Sequence, residues 1–153
     1  MNKNSKEKVC TFYVSDYHFE MISLPYIDKN LSKKDIIILT ENNLEKTIET
    51  LISRMNFKED KKRKIFQIDW KNNDMEKFKK IKEDADNNKE MIIFIKGKEN
   101  YIKNINKNIE KWTEKTDNVK IIDCYDMEEI SGKMNEIMDN YKILLSTSGE
   151  KAI

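Results

Sequence analysis

Glycine is almost missing from this chain: Gly97, Gly132 and Gly149 are the only three. Neither G-x-x-x-x-G-K-[ST] nor G-x-G-x-x-G occurs, so the glycine-rich phosphate cradles of P-loop and dinucleotide sites are excluded. Gly149-Glu150-Lys151 echoes the first pattern only superficially, after the last expected strand and with no helix behind it. Histidine is represented by His18 alone, which rules out a His-rich metal site or a second imidazole base. A serine or cysteine nucleophile would depend on that one imidazole, and a hydrolase triad is not expected. Arginine is limited to Arg54 and Arg63, so bidentate contacts to phosphate or guanine are scarce. With 29 basic against 28 acidic residues, nothing favours a polyanionic partner, and no direct nucleic-acid binding is expected. Lysine, asparagine and isoleucine are all abundant, and all three have AT-rich codons, which accounts for the lysines better than a polyanion site does. The one basic cluster, KEDKKRK at 58–64, reads as a solvated turn before a strand. Cys10 and Cys124 lie inside apolar runs and read as buried, reduced thiols. No apolar run is long enough for a membrane span, and MNKNSKEK lacks the apolar core of a signal peptide, so a cytoplasmic protein is expected.

What the chain has in abundance is alternation. KVCTFYVS, DIIILT, KIFQID, EMIIFIK and VKIIDCY are each followed by a helical pattern, and KILLS comes last. This rhythm predicts a single α/β domain over 8–153, behind a flexible polar tail over 1–7. The domain is expected to have three layers: a mainly parallel sheet of five or six strands with helices on both faces. Strands are expected at 8–15, 35–40, 64–70, 90–96, 119–125 and 142–146, and helices at 17–31, 42–55, 74–86, 99–115 and 126–139. Pro25 implies a kink in the first helix, or a turn over 16–23 with Pro25 at a helix start. The runs 35–40 and 90–96 are apolar on consecutive positions, which predicts strands buried on both faces and central in the sheet.

Ligands of open parallel sheets bind beyond the carboxyl ends of the strands. Ser15, Asp16, Thr40, Glu41, Asp69, Trp70, Gly97, Lys98, Tyr125 and Asp126 fall there. Asp16, Glu41, Asp69 and Asp126 could hold a divalent cation for phosphoesterase or nuclease chemistry. Acids in such places also cap helices, and Asp16, Asp74 and Asp126 each precede a helical run. Carboxylates converging on one ion would favour the enzyme; carboxylates bonded to helix N–H groups would favour the caps. A phosphoacceptor receiver domain is rejected: Asp69 fits its middle acid, but the first strand lacks paired acids and no lysine closes the fifth. The aromatics Phe12, Tyr13, Tyr17, Phe19 and Tyr26 either line an apolar pocket or edge the core.

Four segments carry a family resemblance. Lys8-Val9-Cys10-Thr11-Phe12-Tyr13 resembles the His-[Ile/Val]-Cys-x-Phe-Tyr opening of the MEDS sensory domain (methanogen/methylotroph, DcmR-type). Leu24-Pro25-Tyr26-Ile27, then Leu31 and Asp35-Ile36-Ile37-Ile38, is similar to that family's proline-containing first helix and second strand. Ile95-Lys96-Gly97-Lys98-Glu99-Asn100-Tyr101 resembles its strand end Gly-Glu-Met-Ser-Trp, and Ile122-Asp123-Cys124-Tyr125-Asp126 its Cys-x-Tyr-Asp strand. The match runs over about 8–149, with departures at Lys8, Lys98 and Asn140-Tyr141, where the family carries His, Glu and His-Pro. The resemblance implies a RecA/KaiC-type core without a working phosphate loop. It also implies a sensory role beside a histidine kinase, an anti-sigma-type kinase or a transcription regulator. The expected function is thus a non-catalytic sensory or regulatory module that binds a small ligand or a signalling protein, with no cofactor. The residues expected to do so are Tyr13, Asp16, Glu20, Gly97, Tyr101, Tyr125 and Asp126, at strand ends and in the matched motifs. The alternative is the metal-dependent phosphoesterase or nuclease. A homodimer through an exposed stripe of helix 99–115 or 126–139 is a third mode of action.

Overall fold

The computed structural model describes residues 7–153. The expected tail lies outside the described residues except for Glu7, which opens the first strand. In chain order the elements are β1 (Glu7–Tyr13), α1 (Asp16–Asn30), β2 (Asp35–Thr40), α2 (Glu45–Arg54), α3 (Glu59–Gln67) and α4 (Asp74–Asp86). They continue with β3 (Met91–Gly97), α5 (Glu99–Trp112), β4 (Val119–Asp126), α6 (Met134–Met138), β5 (Ile143–Ser146) and β6 (Gly149–Ala152). The six strands form one sheet in the order β2-β3-β4-β1-β5-β6, parallel throughout except for β6. The expected α/β fold, a mostly parallel sheet sandwiched by helices, is therefore present.

Alternation along each strand divides the core in two. Val9, Ile38, Ile92, Phe94, Ile122 and Cys124 pack on one face, against Phe19 and Leu24 of α1, Ile48 and Ile52 of α2 and Ile65 of α3. Cys10, Ile37, Ile93, Ile95, Ile121 and Tyr125 pack on the other, against Ile81 of α4, Ile102, Ile105 and Ile109 of α5 and Ile137 of α6. Strands covered on both faces need apolar residues at consecutive positions, and all seven residues of β3 are buried.

Four expectations need correction. The run 35–40 is β2, an edge strand, and only 90–96, as β3, is internal. Beside β2 the buried Lys77 amine of α4 donates to Ile38 O at 2.6 Å and to Lys71 O. The run 64–70 is not a strand. Its first half ends α3, where Trp70 Nε1 donates to Ile65 O at 2.8 Å and meets a carbonyl of the helix's last turn. The expected helix 126–139 shrinks to Met134–Met138, preceded by turns that include Gly132 at φ +80°. Finally, the closing TSGEKAI contains β6: Gly149, at φ +105°, takes a left-handed conformation open to glycine and turns the chain back on β5.

Pro25 is accommodated inside one continuous helix. Met21, whose carbonyl loses its helical donor to the proline, is exposed, and Pro25 is half-buried. The apolar stripe of α5, Ile102, Ile105 and Ile109, is buried against the sheet.

Candidate functional site

The strand ends gather their charges into pairs. Lys96, at the end of β3, is buried, and its amine lies 2.8 Å from Asp16 Oδ1 and donates to Asn42 Oδ1 at 3.0 Å. Asn42 Nδ2 returns to Asp16 Oδ2 at 2.9 Å and closes a three-residue ring across β1, β2 and β3. The same amine sits 4.7 Å from the Tyr13 ring centre and 5.5 Å from that of Phe19, so both aromatic rings add cation–π attraction to its charge. Burial pushes the Tyr13 hydroxyl up, and Asp126, Asp16 and Glu41 add to the shift.

The other acids are occupied separately. Glu41 Oε1 accepts the Lys98 N–H at 2.6 Å. Asp69 Oδ1 accepts the Lys71 N–H at 3.0 Å, and Asp126 Oδ1 the Glu128 N–H at 2.9 Å. Among the described residues no three His, Cys, Asp or Glu side chains are grouped to hold a metal ion. None of the three acids caps a helix: Asp126 takes the Glu128 N–H within turns, and Lys133 stands at the N-cap of α6. Ser15 is the N-cap of α1, accepting the His18 N–H at 3.1 Å, while Asp16 turns to Lys96 and Asp74 accepts from the Tyr101 hydroxyl at 2.9 Å. His18 Nδ1 accepts the Val14 N–H at 2.9 Å, which commits the lone imidazole to this turn.

Beside the charge ring a groove of about 280 Å³ opens between α1 and α2. Tyr17 and Glu20 line it from α1, and Lys46, Thr47, Thr50, Leu51 and Arg54 from α2. Residues 47, 51 and 54 share a helix face by their spacing, and 46, 50 and 54 form the adjacent row. Glu20 is buried and hydrogen-bonded to Thr47 Oγ1, which also lies 3.1 Å from Leu44 O. A hydroxyl has one proton and here has two acceptors. That proton is shared between the Glu20 carboxyl and Leu44 O, and the share given to Glu20 favours its ionised form. Burial pushes the Glu20 carboxyl up from 4.5 to about 7; Asp16 adds to the rise, while Thr47 and Lys96 oppose it.

The expected site residues separate. Tyr13, Asp16 and Glu20 surround the charge ring and groove. Gly97 and Tyr101 belong to its flank: a Cβ on Gly97 would lie 2.7 Å from Tyr101 Cδ2 and 2.8 Å from Glu41 Cγ, so glycine lets both side chains close over the backbone. Asp126 lies in the turn after β4, where Met127 N–H donates to Tyr13 O at 2.9 Å. Tyr125 points to the opposite face, stacked on Phe12 and 2.7 Å from the Tyr141 hydroxyl. Tyr141 donates at 2.5 Å to the fully buried Asp123, which also takes Asn106 Nδ2 at 3.0 Å and faces Lys8 at 3.6 Å. Burial pushes the Asp123 carboxyl up against the pull of those three partners. This second network ties α5 and the segment before β5 to the sheet. Of the five clustered aromatics only Tyr17 lines the groove; Tyr13, Phe19 and Tyr26 pack edge-to-face in the core.

Lys96, Asn42, Thr47, Leu51 and Arg54 were not anticipated. Lys96 had a readable signal, a lysine ending the otherwise apolar IIFIK, where a charge needs a partner. No protein family model, curated protein or solved structure matches this chain.

Proposed function

We propose that this chain is a non-catalytic sensory or regulatory module in which a small ligand, or a signalling protein, engages the carboxyl edge of the sheet. The observation that carries this reading is the internal pairing of every candidate reactive group there. Lys96 is held by Asp16 and Asn42, Glu41 and Asp126 by backbone N–H groups, and His18 by Val14, while both thiols are buried. Beside them lie an open groove and an exposed apolar rim of Val14, Tyr17, Met21 and Met127. Binding uses such surfaces; nucleophilic or metal-assisted hydrolysis needs free groups that converge. The order β2-β3-β4-β1-β5 supports the RecA/KaiC-type core implied by the MEDS-like motifs. Those motifs also supply the sensory role and the partner class: a histidine kinase, an anti-sigma-type kinase or a transcription regulator.

The test is incubation with bis-p-nitrophenyl phosphate and Mg2+ or Mn2+. The expected result is no nitrophenolate above buffer. Metal-dependent hydrolysis that disappears in Asp126→Asn or Asp69→Asn would overturn the reading in favour of the phosphoesterase.

A further inference from the structure

We propose that the groove between α1 and α2 binds a small organic carboxylate, with Arg54 taking the carboxylate and Tyr17 and Leu51 the apolar body. The inference rests on the ligand-binding reading above and names the ligand's chemistry. Lys46 and Arg54 both line the groove, and among the described residues neither has an ion-pair partner. They stand eight residues apart on α2, about 12 Å along the axis, so they flank the groove rather than converge. One carboxylate therefore meets one of them, and the planar guanidinium of Arg54 is the better match, because it can hold both oxygens. Lys46 adds positive potential at the other end.

Between the cations the wall is apolar or neutral. Tyr17, 55 % exposed, offers one unpaired aromatic face, and Leu51 packs opposite from α2. Thr50 contributes a hydroxyl. The one acid, Glu20, is 1 % exposed and takes the Thr47 hydroxyl, and burial keeps its carboxyl largely neutral below about pH 7, where it does not repel an anion. A cationic ligand would meet two unpaired cations and no free carboxylate. The volume, about 280 Å³, sits at the lower limit of small-molecule sites, which suits an aryl or branched aliphatic acid rather than a nucleotide.

The groups facing Glu20 set the pH dependence. Asp16 acts on it from α1, Thr47 from α2 and Lys96 from β3, while Tyr17, Lys46 and Arg54 line the same groove. Loss of the Glu20 proton puts a second negative charge beside the bound carboxylate. Affinity therefore falls as the pH rises through neutrality, and Lys96, already paired with Asp16, offsets this only in part.

The experiment is a titration of the 15N-labelled full chain with phenylacetate, phenethylamine and benzyl alcohol, following backbone amides. Phenylacetate is expected to shift Tyr17, Thr47 and Leu51 saturably and to bind more tightly than either other probe. Arg54→Gln, a change on an exposed helix end, should weaken it about tenfold. Raising the pH from about 6 to about 8 should weaken it further, and Glu20→Gln should flatten that profile. Phenethylamine shifting the same amides at equal or lower concentration overturns the carboxylate assignment and leaves the ligand-binding reading standing. An unchanged affinity in Arg54→Gln overturns the anchoring role. Shifts in neither helix with any probe overturn the groove as a site, whereas the non-catalytic reading fails separately, through the hydrolysis assay.

Discussion

Single side chains in this protein matter through where their protons and charges are kept. Glu20 is the clearest case. Its carboxyl sits at 4.5 in an unfolded chain and is pushed up to about 7 by burial in the fold. Between those values the folded state holds a proton that the unfolded chain has released. The stability contributed by this group is full below about pH 4.5 and is lost as the pH rises through about 7. Glu20→Gln keeps an acceptor for the Thr47 hydroxyl and cannot ionise. Urea titrations should therefore show the variant more stable than wild type above neutrality, with a flatter pH profile. The two thiols show the same effect of burial. Cys10 is pushed up to about 12 and Cys124 well above its ordinary value, because both lie in the core. Thiolate is the reactive form, so a thiol reagent should label the native protein only as fast as it opens. Each Cys→Ala should cost about 1 kcal/mol in denaturant; labelling within seconds would contradict this account. Burial of the cysteines was legible from their apolar neighbours. The raised carboxyl of Glu20 was not, because it depends on burial against α2, where its partner Thr47 is twenty-seven residues away in sequence.

At the level of elements, local pattern and tertiary placement parted company at β2 and α3. Five of the six expected strands formed, yet KIFQID joined a helix. The acidic Glu59 and Asp60 in the first turn and Lys64 in the last suit the helix dipole, and only Ile65 of α3 is buried. A short β-branched run within so charged a segment did not outweigh helix propensity. This left DIIILT at the sheet's edge. An apolar run reveals burial of both faces but not whether a neighbouring strand exists on each side, so β2 reads like a central strand. The exposed edge of such a strand is an aggregation hazard, and Lys77 places a charged amine on its Ile38 carbonyl. Burial lowers the Lys77 amine's pKa, and Asp69 and Asp74 hold it up. Lys77→Met would leave the Ile38 and Lys71 carbonyls without their donor while filling the same space. The expected cost is about 2–3 kcal/mol by urea denaturation, with faster light-scattering growth from the edge of β2.

Across the whole molecule, the strand order decides what the carboxyl edge can accept. The helices after β1 and β4 lie on opposite faces, so the crevice of the fold falls between these neighbouring strands. That placement was legible in outline, since the candidate residues were sought at strand ends. Which of them meet was not, because the crossing of β1 to a position beside β4 leaves no local signature. In a nucleotide-binding fold this crevice holds phosphate against free N–H groups. Here only Val14 and Ser15 separate β1 from α1, and the Ser15 hydroxyl already accepts an N–H of the first turn. The Met127 N–H is spent on Tyr13 O, and the cation nearest the helix start, Lys96, is neutralised by Asp16. A phosphate chain would have to displace that carboxylate and expose the buried Lys96 amine to reach it. ATP with Mg2+ should accordingly bind no more tightly than about millimolar in calorimetry. Asp16→Asn, which removes the competing charge, should improve binding only slightly, because no backbone cradle is released with it. Micromolar, magnesium-dependent binding to the wild-type chain would show instead that the crevice opens, and with it the non-catalytic reading would fall.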